Sequence, residues 1–271
     1  DYVLTVDSNG EAGWEAASGG VAGTATVSLT TVGYNAADAI TSGSENTAFG
    51  AKSLSGCTSG DNNVALGHEA LENLTTGSKN IAIGHSALGH TAVAIMDNTA
   101  VGHRALRDSE GNNNTAFGAW SLSAGVCTGA DNTAVGYEAL KANTAASNVA
   151  VGSQALKACT TGHYNTAVGY QTLIAVTTGE ANTAIGDRAG DALTEGSNNV
   201  AIGKVALSAC VDGDFNVAIG RSALEASTVS NLTAVGYYAL NTNTSGVGNT
   251  ALGKNAGAGN TTADSNTYIG F

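Results

Sequence analysis

Asn132-Thr133-Ala134-Val135-Gly136-Tyr137-Glu138-Ala139-Leu140 is one copy of a phrase that runs along nearly the whole chain. It returns as Asn46-Thr47-Ala48-Phe49-Gly50 with Ser53-Leu54, and as Asn216-Val217-Ala218-Ile219-Gly220 with Ala223-Leu224. Its glycine stands at Gly50, Gly67, Gly84, Gly102, Gly118, Gly136, Gly152, Gly169, Gly186, Gly203, Gly220, Gly236, Gly253 and Gly270. Successive glycines are 16 to 18 residues apart. A period this short and tight denotes a solenoid built one coil at a time, and the expected function is that of a shaft.

With Asn as position one, position two is Thr, Val or Ile and position three is Ala almost throughout. Position four is Val, Ile, Leu or Phe, and position five is the glycine. Alternation puts positions two and four on one face and Ala on the other, and the residue types are β-formers bounded by turn residues. The first four positions therefore predict a short strand. The glycine is expected to need φ > 0 or to meet a neighbouring backbone. Positions six and seven vary freely and read as a solvent-facing bend. Positions eight and nine, commonly Ala-Leu, predict a second short strand with Leu inward. Each coil is thus expected to hold two strands and two bends around a thin core of a Val, a Leu and small residues. The recurrent Asn, at Asn46, Asn63, Asn80, Asn98, Asn114 and Asn132 in the first copies, is expected to form an amide ladder. The glycines Gly50, Gly67, Gly84, Gly102, Gly118 and Gly136 form the structural column beside it. Leu29-Thr30-Thr31-Val32-Gly33 reads as a degenerate first coil, and Leu232 breaks the Asn column.

The strand looks apolar and small on both faces, as in a strand covered from both sides. Several chains are therefore expected to pack along their length. The 271 residues contain 37 Gly, no Pro and only 12% charged residues, at a formal net charge of −12. Ten scattered Lys and Arg give no footprint for nucleic acid, and no run of eighteen apolar residues would form a membrane-spanning helix. The chain opens on Asp1 and closes inside a copy of the phrase, as a segment of a longer protein would. Cys57, Cys127, Cys159 and Cys210 share one loop column. Cys127 and Cys159, two coils apart, would be roughly 10 Å from each other, too far for a disulfide. The four read as small semi-buried fillers.

The phrase resembles the head repeats of trimeric autotransporter adhesins. It resembles still more the shaft repeats of bacteriophage tail fibres and related bacterial surface fibres, where Asn-Thr-Ala-Ile-Gly-x-x-Ala-Leu recurs. The resemblance covers residues 29–271. It implies an all-β, left-handed parallel β-roll assembled as a homotrimer, on a virion tail fibre or an extracellular surface. The implied partners are further copies of the chain, other fibre modules and a host-surface glycan or receptor. The period of about 17 departs from the slightly shorter coils of adhesin heads. Residues 1–28 stand apart: Val3–Asp7 and Ala12–Ala16 around Asn9-Gly10 read as a β-hairpin connector, with Gly19-Gly20 as a joint and Thr24 to Leu29 entering the roll.

Three columns invite a functional reading. His68, His85 and His103 hold position six on successive coils, which sets a transition-metal site against a plain solvated column; the solvated column is the expectation, given Ala51 and Ala119 beside it. Tyr137, Tyr170 and Tyr237, with Trp120 at position seven, are candidate sugar contacts or simple surface decoration. The Thr column raises ice binding, against which the interrupting Val and Ile count. The acids are spread over different turns, and no triad, phosphate loop or calcium nonapeptide is present. Neither enzymatic activity nor a cofactor is expected. The leading expectation is a fibre shaft that spaces a host-recognition tip. The alternative is an adhesin head or extracellular filament whose roll surface itself binds matrix or glycans.

Overall fold

Consecutive copies of the phrase stack with a fixed register in the computed structural model, which describes residues 2–6, 12–16, 29–90, 94–123, 125 and 127–271. Strands β1 (Tyr2–Val6) and β2 (Ala12–Ala16) pair antiparallel, with Leu4 opposite Trp14. The turn between them, the Gly19-Gly20 joint and the entry segment before Leu29 lie outside the described residues. From Leu29 onward one strand per coil forms a single parallel sheet of 15 strands, β3 (Leu29–Val32) to β17 (Thr267–Ile269), in strict sequence order. The expected all-β parallel solenoid with a spacing of about 17 residues is what the chain forms.

Register is residue on residue. Thr133, Ala134 and Val135 pair with Val149, Ala150 and Val151, and these with Thr166, Ala167 and Val168. The degenerate first coil joins in the same frame, with Leu29 opposite Asn46 and Val32 opposite Phe49.

The Asn ladder forms as expected and lies inside. Asn63 donates from its backbone N–H and from Nδ2 to Asn46 Oδ1, at 2.9 and 3.1 Å. Its Nδ2 also donates to the Gly77 carbonyl at 2.9 Å. Asn80, Asn98, Asn114 and Asn132 repeat the backbone bond, each to the Asn one coil before. Every one of these side chains is buried. A buried amide with all its groups paired removes the cost that would otherwise exclude it from a core. At Leu232 the column is interrupted: its N–H still donates to Asn216 Oδ1, at 3.0 Å, but it offers no side-chain oxygen to the next coil.

The glycine column is also steric. Gly50 to Gly136 all lie at φ between 129° and 136°. A Cβ at Gly136 would sit 2.5 Å from the Gly152 carbonyl oxygen of the following coil, a distance no side chain can occupy. Both of the reasons anticipated for this glycine therefore apply at once.

Two expectations are corrected. The Ala-Leu segment is not a second strand. Ala139 and Leu140 are both fully buried, and neighbouring residues of a strand point to opposite faces. Instead, positions seven and nine take left-handed backbone, as at Glu138 (φ 55°) and Leu140 (φ 50°). The turn so formed aims two successive side chains at the core. The Leu140 N–H still bonds the next coil, donating to the Ala155 carbonyl at 3.0 Å. The two left-handed residues together cost about 2–4 kcal/mol; burial of the leucine, about 1.5–3 kcal/mol, offsets most of this, and the buried Ala139 and the ladder bond supply the rest.

The second correction concerns the core. Position three, not position four, faces inward: Ala48, Ala65, Ala82, Ala100 and Ala116 are fully buried, whereas Phe49, Phe117 and Leu252 are each more than half exposed. The core consists of Ala, Leu, Asn and one further column. Cys57, Leu74, Cys159, Val176, Leu193 and Cys210 belong to that column and are fully buried rather than semi-buried. All four cysteines are free thiols. Burial pushes the Cys127 thiol up to about 11 and the Cys159 thiol up to about 12.

Where position nine lacks its leucine, a neighbour fills the space. A Cβ on Gly190 would meet Leu173 Cδ2 at 2.7 Å and Leu193 Cδ1 at 3.1 Å. At Gly257 the Tyr268 ring comes equally close, with its Cδ2 2.6 Å from the Cβ position. Tyr268 stands where other coils carry the inward Ala. Constant core volume is thus kept by exchange between columns.

Candidate functional site

The candidate columns lie at positions six and seven, directly after the glycine. Each position-seven N–H donates to the position-six carbonyl of the preceding coil. Ser86 to His68 (2.9 Å), Arg104 to His85 (3.0 Å) and Trp120 to His103 (3.0 Å) are successive rungs. This ladder fixes the height of every position-six side chain, so identical residues on adjacent coils must stack.

The three histidines do. The ring centroids of His68 and His85 are 5.2 Å apart at 15°, and those of His85 and His103 5.3 Å apart at 28°. Trp120 continues the column edge-on to His103 at 5.4 Å. Burial, then the Arg104 charge and His85, hold the His103 imidazole below its ordinary value. Glu69 lies at the foot of the column, with Oε1 3.7 Å from His68 Nδ1 and 3.7 Å from Lys52 Nζ. Lys52 is closer to Glu72, at 3.3 Å. Ser86 Oγ donates to Glu69 Oε2 at 3.1 Å and lies 3.2 Å from His85 Nδ1. Burial alone would raise the Glu69 carboxyl. The Ser86 hydroxyl, His68, Lys52 and His85 together outweigh it and hold it below the usual range.

A second cluster forms around Glu138. Its carboxylate accepts from Lys141 Nζ at 2.7 Å, Lys157 Nζ at 2.7 Å and Gln154 Nε2 at 3.0 Å. The two lysines, then the Gln154 bond, bring its pKa down to about 2 against the opposing effect of burial. Gln171 Nε2 donates onward to Gln154 Oε1 at 2.9 Å, so position seven carries its own side-chain ladder over three coils.

The aromatics named from sequence fall into two kinds. Tyr137 and Tyr170 are each half exposed, and Tyr237 is exposed on the same column. Trp120 is half-buried, and its own neighbours lie over it, with Arg104 Cζ 4.6 Å and Lys141 Nζ 5.4 Å from the ring centroid. Its aromatic face is already engaged by cations. Tyr237 packs edge-on to Tyr238 at 4.3 Å. The structure thus brings His68, His85, His103 and Trp120 into one line and leaves the tyrosines separate.

Sequence reading missed Glu69, Ser86 and the Glu138 cluster. Their signal is the same coil period applied at position seven: Glu138, Gln154 and Gln171 follow one another by 16 and 17 residues. Comparison with protein-family models, with curated proteins and with solved structures finds no match to this chain.

Proposed function

We propose that the chain is a length of structural shaft from a phage tail fibre or similar extracellular appendage, holding a host-recognition tip away from its base. In this reading three copies pack side by side as left-handed rolls, joined at their ends to other fibre modules, and the segment performs no catalysis. One observation carries the proposal. The outward face of the sheet exposes an uninterrupted apolar column at position four that includes Phe49, Leu66, Ile83, Phe117, Val135, Val151, Ile185 and Leu252. Monomers rarely leave so long an apolar stripe in water.

A further copy of the same chain is the occupant that fits. The stripe carries no charge, so its burial strands no ion. Its pitch is the strand spacing, so every coil of one copy meets an equivalent coil of another. The 15 strands at about 4.8 Å give a rod of roughly 70 Å. The alternative, an adhesin head whose surface binds glycans or matrix, rests on the exposed rings of Tyr137, Tyr170 and Tyr237.

Sedimentation equilibrium tests the assembly. A species of three times the 26.6 kDa chain mass is expected, and Phe117→Glu should dissociate it. A wild-type monomer at every concentration refutes the packed shaft. Glycan-array binding that is lost on replacing Tyr137 and Tyr170 by Ala would favour the adhesin reading.

A further inference from the structure

From the geometry of the histidine column we infer a divalent transition-metal site made by His68, Glu69 and His85, which pins two successive coils together. One ligand atom from each residue lies within 4.8 Å of the other two. Two imidazoles and a carboxylate form a donor set suited to zinc and its neighbours, and unsuited to magnesium, which prefers oxygen alone. Bonds of about 2.0–2.2 Å to a tetrahedral ion bring ligand atoms to roughly 3.3 Å from one another. The ligands must therefore close by at most about 1.5 Å. Side-chain rotation supplies this, because the His68 ring is about half exposed and the backbone at both histidines need not move.

The surroundings prepare the site. Ser86 Oγ touches both Glu69 Oε2 and His85 Nδ1 and orients the two groups toward each other, as outer hydrogen bonds do for metal ligands. Lys52, 3.7 Å from Glu69, has Glu72 as its closer partner at 3.3 Å and can yield Glu69 without being stranded. Three protein ligands leave a coordination position open to water or to a donor from outside the chain. His103 stacks on the far side of His85 and is not part of the triad.

The test is isothermal titration of the assembled protein with Zn²⁺, run beside Mg²⁺, with the melting temperature read in parallel. One Zn²⁺ per chain at this site and a raised melting temperature are expected, with no response to Mg²⁺. H68A and E69Q should each weaken that binding roughly tenfold or more. H163A, remote in sequence and tilted against the Tyr164 ring, should leave it unchanged. H68A is expected to fold, since Ala51 and Ala119 fill the same position on nearby coils; its circular dichroism without metal checks this, and S86A provides a second variant, expected to weaken Zn²⁺ binding without removing a ligand. No Zn²⁺ binding, or binding that H68A and E69Q leave intact, overturns the assignment.

Discussion

Replacing Asn165 by Ala tests whether the amide ladder holds the coils together. Asn165 Nδ2 donates to the Gly179 carbonyl at 2.8 Å, and its Oδ1 accepts from the Asn182 N–H at 3.0 Å and from Asn182 Nδ2 at 3.1 Å. Asn182 Nδ2 keeps the Gly196 carbonyl at 2.8 Å. The substitution therefore strands two groups in the core, the Gly179 carbonyl and the Asn182 N–H. Each costs about 1–3 kcal/mol, so the expected loss is about 4 kcal/mol. Asn165→Leu makes the same two orphans but leaves no void, and the chain carries Leu232 in the equivalent position. It should therefore lose less than Ala. Asn165→Asp should lose more, because a carboxylate oxygen then faces the Gly179 carbonyl and a charge is buried. Urea unfolding followed by circular dichroism measures the total. Because a solenoid can open in segments, native-state hydrogen exchange at the Asn182 amide gives the local reading. About 2 kcal/mol lost there means exchange roughly thirtyfold faster. An Asn165→Ala protein within about 1 kcal/mol of the parent, with Asn182 still protected, would refute the ladder as a source of stability.

Three further outcomes follow from the same geometry. Gly152→Ala puts a Cβ 2.2 Å from the Gly169 carbonyl oxygen at a φ of 137°; thermal melting should show a loss above about 3 kcal/mol, or no folded protein. Ala181 sits exposed in left-handed backbone at φ 55°, where Asn62, Asn113 and Asn198 stand on other coils; Ala181→Asn should stabilise by about 0.5–1 kcal/mol by denaturant titration, since Asn tolerates that region better. Glu138 has its folded pKa lowered from 4.5 to about 2. Its contribution is therefore present above about pH 4.5 and is lost as the pH falls toward 2. In an acid titration followed by circular dichroism, Glu138→Gln should reduce the stability change over that window and be less stable than the parent at pH 7.

The period was legible because a stacked coil must return every residue to the same column, so the glycine, which admits no Cβ between two backbones, had to recur. The Asn column was legible for a related reason: a polar residue repeated in an apolar phrase needs a partner, and its own copy one coil away supplies it. The Ala-Leu bend was not legible. Its period-two look matches a strand, while its left-handed residues, such as Leu140 at φ 50°, are ones that local propensity argues against and that leucine burial and the ladder bonds between coils hold in place. The Glu69 and Ser86 neighbours of the histidines were equally hidden, because position seven varies in type and only the stack brings Glu69 beside Ser86.

By itself the sequence determined that the chain is a solenoid, where each coil begins, and that Asn and Gly are its scaffold, since these follow from repetition and from the steric demands of single residue types. Only the tertiary structure decided which strand face is the core. Position three and position four are both apolar and alternate equally well. The narrow coil, closed by a bend that drives Leu140 and its equivalents inward, leaves room for little more than Ala at position three, and takes Tyr268 there only where Gly257 stands in place of the leucine. That choice turned the larger side chains out to solvent and made the exposed apolar stripe at position four.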